Sequence, residues 1–115
     1  METYNKLNLD FDLDRNKDFL LKEIKDKNIL VIGGAGSIGL SYLKKILTFK
    51  PSKITVVDIN ENGLTELTRD LRSSNLLDYD PDYITYPVNL LDSKFNKIFD
   101  SDNYDLIANF SAHKH

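Results

Sequence analysis

Short unbroken apolar runs alternate along this chain with stretches in which apolar residues return every three or four positions. The runs at 28–32, 53–58, 83–88 and 105–110 read as strands. The first lacks in–out alternation, as a parallel strand covered on both faces requires. Three helices are predicted between the strands. One spans 37–49, with Ile38, Leu43, Ile46 and Leu47 as its inner stripe, Lys44 and Lys45 facing water, and Lys50 and Pro51 closing it. The next starts after Asn60 and runs to 73, with Leu64, Leu67 and Leu71 inward and Glu66, Arg69, Asp70 and Arg72 on its solvated side. The last covers 92–99, with Phe95, Ile98 and Phe99 inward. Ahead of all this, 1–13 reads as an arm. Asp14 then reads as the N-cap of a short helix to about residue 25, burying Phe19, Leu20 and Ile24.

Strands alternating with helices imply right-handed crossovers and an α/β fold of three layers, helices on both faces of a parallel sheet. The expected strand order is 3-2-1-4. Pro87, read as part of the third strand, has no ladder N–H and belongs at a sheet edge. The fourth strand falls at the opposite edge, and nothing in the 115 residues remains to cover it. A longer polypeptide, a homo-oligomer or another edge-strand association is therefore expected.

The junction after the first strand carries the chemistry. Gly33-Gly34-Ala35-Gly36-Ser37-Ile38-Gly39 follows an apolar strand and opens an amphipathic helix. Asp58 closes the second strand about 20 residues further on, the order of a dinucleotide-binding fingerprint in a Rossmann-like fold. A strand that turns into a helix within a few residues needs backbone angles that a Cβ obstructs. A diphosphate must also approach the N–H groups of the first helical turn, where the dipole favours negative charge. A side chain at Gly36 would stand in that path, and Gly39 lets the helix lie close to the strand. Two registers fit, Gly34-x-Gly36-x-x-Gly39 and Gly33-x-x-Gly36-x-x-Gly39. A triphosphate-binding loop needs Gly-Lys-Ser/Thr, and no lysine follows these glycines.

Further candidates surround this turn. The Asp58 carboxylate can accept from both ribose hydroxyls of an adenosine and repel a 2′-phosphate, which favours NAD over NADP. Ile59 and Asn60 follow it. Asn89 and Leu90, after the third strand, are candidates for adenine contact, Asn89 through its carbonyl; as an alternative, Asn89 caps the next helix. Ser111 and Ala112, closing the fourth strand, are small enough to line a cofactor cleft. No Gly-x-Ser-x-Gly elbow surrounds Ser111 to make it a nucleophile.

Composition removes other classes. The net charge of −3 offers no electrostatic case for nucleic acid or an anionic membrane. Without cysteine there are no disulfides or thiolate metal sites. No metal site is expected: His113 and His115 lack a third ligand, and the acidic run from Asp10 has Arg15 and Leu21 where a calcium loop needs Gly and Glu. There is no basic-then-apolar leader and no apolar stretch long enough to span a bilayer, so a cytoplasmic protein is expected.

With these residues on the page, the chain resembles the extended short-chain dehydrogenase/reductases. Within them it is most similar to the polysaccharide-biosynthesis group that contains nucleotide-sugar 4,6-dehydratases such as those acting on UDP-N-acetylglucosamine. The likeness rests on the glycine turn, on Asn62-Gly63-Leu64 through Arg69-Asp70-Leu71-Arg72, and on Asn109-Phe110-Ser111-Ala112-His113-Lys114-His115. It implies NAD(P) bound here and a UDP-sugar held by a C-terminal region. It implies oxidation at C4, loss of water across C5–C6 and return of hydride to C6. The group's chemistry uses a Tyr-x-x-x-Lys or Met-x-x-x-Lys pair, and no Tyr or Met here has Lys four positions on. The expectation is an N-terminal arm and helix over 1–27 and a truncated cofactor-binding segment over 28–115, inactive alone. A nucleotide-sugar 4-epimerase segment, a non-catalytic NAD-sensing module and a domain without ligand are the alternatives.

Overall fold

The computed structural model describes residues 22–111. The expected arm, Asp14, Phe19 and Leu20, together with Ala112, His113, Lys114 and His115, lie outside the described residues. Residues 22–24 are helical and Ile24 is buried. The elements that follow are β1 (Asn28–Ile32), α1 (Ser37–Leu47), β2 (Lys53–Val57), α2 (Glu61–Ser73), β3 (Asp82–Tyr86), α3 (Ser93–Asp100) and β4 (Leu106–Asn109). All strand pairs are parallel and the sheet order is β3-β2-β1-β4, as the alternation requires.

The period of two along β1 splits the core. Ile29 and Val31 join Ile54, Val56 and Ala108 against the apolar stripes of α1 and α2. Leu30 and Ile32 join Val57 against Phe95 and Ile98 of α3. A fully buried side chain such as Leu43 contributes about 1.5–3 kcal/mol in apolar transfer alone.

Several expectations need correction. Ile38 is not in the inner stripe; it is 64% exposed. The buried positions of α1 are Gly39, Tyr42, Leu43, Ile46 and Leu47, and Ile38 lies about 100° before the first of them. Tyr42 takes its place, its ring 5.0 Å from that of Phe110. Lys44 is half-buried and pairs with Asp70 of α2 at 3.1 Å, so neither residue simply faces water. Lys45 is half-buried as well. Helix α1 ends two residues early because Lys50 turns left-handed at φ 58° before Pro51. Pro87 lies just beyond β3, not within it. It leaves the ladder at Tyr86, and the Val88 N–H donates to the Tyr86 carbonyl around it. The strand is nonetheless the edge.

The amino ends of the strands are tied together far from the glycine turn. The Lys53 ammonium sits 2.7 Å from Asp102 and 4.0 Å from Asp82, joining β2 to the segments before β4 and at β3. Asn28 N–H donates to the Asp105 carboxylate at 2.8 Å, and the Asn28 amide donates to the Asn103 carbonyl. The hydrogen bond from Lys53, supported by Asn28 and the Asn103 N–H, draws the Asp102 carboxyl down to a pKa of about 2. The folded value lies below the ordinary one, so this stabilisation is complete above the ordinary value and is lost as pH falls through the folded one. Asp102→Asn should therefore lower the thermal midpoint at neutral pH. The gap to the parent should close between about pH 4 and about pH 2 in a pH series of melts.

Candidate functional site

The strands point their carboxyl ends at one cleft of about 580 Å³. It is lined by residues from four junctions: Ile32 at the end of β1 with Gly33 and Gly36 after it, Val57 at the end of β2 with Asp58 and Ile59 after it, Val88 to Leu91 after β3, and Phe110 and Ser111 after β4. Because β1 lies between β2 and β4, crossovers leave it in opposite directions there, and that divergence opens the crevice.

The glycine turn is built from contacts that leave no room for side chains. Gly33 is left-handed at φ 78°, and a Cβ on it would lie 2.5 Å from the Ser111 nitrogen. A Cβ on Gly34 would lie 2.4 Å from Val56 Cγ1. One on Gly39 would lie 2.6 Å from the Gly34 Cα and 2.7 Å from the Gly33 oxygen. Gly39 therefore packs on the turn itself rather than on the strand. The left-handed residue is Gly33, which makes it the first glycine of the working register; Gly34 is needed for room.

Gly36 is different. Its φ of −82° suits any residue, and the nearest atom to an added Cβ is the Gly33 oxygen at 4.0 Å. The protein's own packing does not require glycine here. Gly36 is the N-cap of α1, with no side-chain cap and no acidic residue in the first turn. The first N–H to find a helical acceptor is that of Leu40, on the Gly36 carbonyl at 2.9 Å. The N–H groups of Ser37, Ile38 and Gly39 thus have no intrahelical partner. Helices α2 and α3 are capped: Asn60 accepts from Gly63 N–H and Asp92 from Lys94 N–H, each at 2.9 Å.

Asp58 is half-buried, and both its oxygens are in use. Oδ2 accepts from the Ala35 N–H and Oδ1 from the Asn60 N–H, each at 2.9 Å. An ionised carboxylate has about four acceptor positions, so both oxygens can still receive hydroxyl donors. Ile59 beside it is 68% exposed although it lines the cleft, and Leu91 across the cleft is 93% exposed.

Asn89 does not cap α3, contrary to the alternative sequence expectation. Asp92 is the cap, and Asn89 Oδ1 accepts from the Leu91 N–H at 3.0 Å. An amide oxygen has two lone pairs, so Oδ1 keeps one acceptor position beside that bond, and the NH2 arm has no partner among the described residues. Ser111 donates through both its N–H (3.0 Å) and its hydroxyl (2.7 Å) to Asn109 Oδ1. A nucleophilic role is further discouraged by that engagement.

Gly33, Gly36, Asp58, Ile59, Asn89, Leu90 and Ser111 thus share the cleft, whereas Ser37, Ile38, Gly39 and Asn60 are not among the residues that line it. Sequence reasoning missed Val57, Val88, Leu91 and Phe110 on the walls, and Asn109 beneath Ser111. An asparagine closing the apolar run Leu106-Ile107-Ala108 is the signal that could have flagged the last, which the structure buries. Among the described residues no group of acidic or histidine side chains could hold a metal ion.

Residues 29–115 match the polysaccharide biosynthesis protein family. The chain belongs to that family. An uncharacterized membrane protein of Methanocaldococcus jannaschii is 52% identical over 52 residues, 45% of this chain and 16% of that protein. The solved structure of Pen from Bacillus thuringiensis is similar over 80% of this chain and 27% of its own length, with a TM-score of 0.64 and 29% identity. A putative D-mannonate oxidoreductase from Haemophilus influenza with bound NAD is similar over 72% of this chain and 28% of its own, at TM-score 0.54 and 17% identity. The last shows the Rossmann-like fold alone. The chain spans about a quarter of the length of these solved structures. Among the described residues no helix is long and apolar enough to cross a membrane.

The glycines divide by what stands in the way of a Cβ. Gly33→Ala and Gly39→Ala should each cost about 2–4 kcal/mol, because backbone must move. Gly36→Ala should cost about 0.5 kcal/mol, the ordinary difference at an N-cap. Urea unfolding of the three variants measures both.

Proposed function

We propose that the cleft binds a nicotinamide dinucleotide, NAD ahead of NADP. The observation that carries this is Gly36: it holds open space over α1, which unlike α2 and α3 has no side-chain cap on its first turn. An anion there would receive the N–H groups of Ser37, Ile38 and Gly39 and the positive end of the helix dipole. Asp58, one strand over, would accept from the ribose hydroxyls, with Ile59 and Asn60 beside it. A 2′-phosphate would meet a carboxylate and no arginine at the following positions. Leu90 would cover the adenine, and the Asn89 carbonyl would accept from the adenine amino group. Ser111 would line the cleft beyond the turn.

The parent polypeptide in this proposal is a nucleotide-sugar 4,6-dehydratase of the UDP-N-acetylglucosamine type, a lyase in polysaccharide biosynthesis. The family match over 29–115 supports it. The nicotinamide ring supplies reversible storage of a hydride, so oxidation at C4 and reduction at C6 need no outside redox partner. This chain's own residues bind and orient the coenzyme. The tyrosine–lysine or methionine–lysine pair, the acid for elimination and the sugar site are assigned to other parts of the parent. The segment is proposed to work in the cytoplasm.

Calorimetric titration of the chain tests this. NAD should bind at least about tenfold more tightly than NADP. Gly36→Ala should weaken NAD by about tenfold or more while leaving the urea midpoint nearly unchanged. Absence of NAD binding to the parent chain, or binding indifferent to Gly36→Ala, would overturn the assignment.

A further inference from the structure

We infer that Asp58 is a positioning residue for the diphosphate-binding turn as well as the ribose ligand, so that one carboxylate couples the two halves of the nucleotide site. This rests on the dinucleotide assignment above. The basis is a closed ring of contacts. Ala35 N–H donates to Asp58 Oδ2, and Asn60 N–H donates to Asp58 Oδ1, each at 2.9 Å. Asn60 Oδ1 in turn accepts from Gly63 N–H at 2.9 Å, fixing the first turn of α2. Gly63 closes the ring by packing on the glycine turn, where a Cβ added to it would lie 2.9 Å from the Ala35 Cβ and 2.8 Å from Asn60 Nδ2.

Ala35 stands between Gly34 and Gly36, so whatever holds its N–H also sets the residue over which the diphosphate must pass. A carboxylate can accept on both oxygens at once. An asparagine amide offers one acceptor and one NH2 group, and the NH2 would face a backbone N–H. Asp58→Asn therefore releases either the turn or Asn60, although it alters no atom of the turn. It follows that specificity cannot be exchanged at this position alone. Removing the charge to admit a 2′-phosphate also loosens the turn that grips the diphosphate.

ADP and AMP separate these two roles, because both carry the adenosine ribose and only ADP has the 5′-diphosphate. Titrations of the full chain with each nucleotide should show the parent preferring ADP. In Asp58→Asn that preference should fall on the order of tenfold, the worth of a charge-assisted hydrogen bond. NADP affinity should not rise. Gly63→Ala, which leaves the carboxylate intact, should lower the same preference. Amide hydrogen exchange should show Ala35 N–H protected in the unliganded parent and faster in Asp58→Asn. If AMP and ADP weaken equally in Asp58→Asn and Ala35 exchange is unchanged, Asp58 serves the ribose alone and the coupling is wrong. If the parent binds no nucleotide, the dinucleotide assignment itself has failed. The exchange measurement then still decides whether the carboxylate holds the turn.

Discussion

Backbone lies directly on backbone where β1 gives way to α1, and the site depends on that approach. The chain at Gly33 comes so near to Ser111 that even a methyl group would overlap it, and Gly39 comes equally near to Gly34. These contacts pull the end of β4 and the first turn of α1 against the same bend. Hydrogen bonds continue the sheet past its formal ends there: Gly33 N–H reaches the Val57 carbonyl and Phe110 N–H the Ile32 carbonyl, both at 2.7 Å. The rigid bend leaves the uncapped helix end facing the cleft.

The opposite ends of the strands use charges for a similar purpose. Lys53 gathers Asp82 and Asp102, and Asp105 is held by β1. Partly exposed pairs of this kind are individually modest. Their placement nevertheless leaves the carboxyl ends of the strands free of ion pairs among the residues that line the cleft. The acidic group there, Asp58, is satisfied by backbone amides instead. A carboxylate held in this way keeps acceptor capacity on both oxygens, whereas one paired with lysine would be committed.

The two ends of the cleft differ in character. Around Gly36 the surface is backbone, polar and suited to an anion. Around Ile59, Val88, Leu90 and Leu91 it is apolar, with Leu91 almost fully exposed. Large aliphatic side chains left in water at a cleft mouth suit a flat base, which would bury them. The gradient from amide-rich to apolar runs from the glycine turn outward, as a nucleotide runs from phosphate to base.

The sequence by itself determined the order of elements, the parallel sheet, the edge position of β3 and the location of the glycine turn and Asp58. These follow from periodicity and from local chain geometry, which neighbouring residues control. Helix α2 was legible to the residue because a cap and three leucines at helical spacing agree. The tertiary structure decided the rest. Ile38 was misplaced because one residue of phase, set by packing on the sheet, separates it from the buried stripe. Asn89 turned its carbonyl to Leu91, and Asp58 to Ala35 and Asn60, because backbone N–H groups without partners nearby claim acceptors once the fold brings them together. No spacing in the sequence records which glycine a distant strand will press against. Only the assembled sheet shows that Gly33 and Gly39 are demanded by the fold and that Gly36 is not.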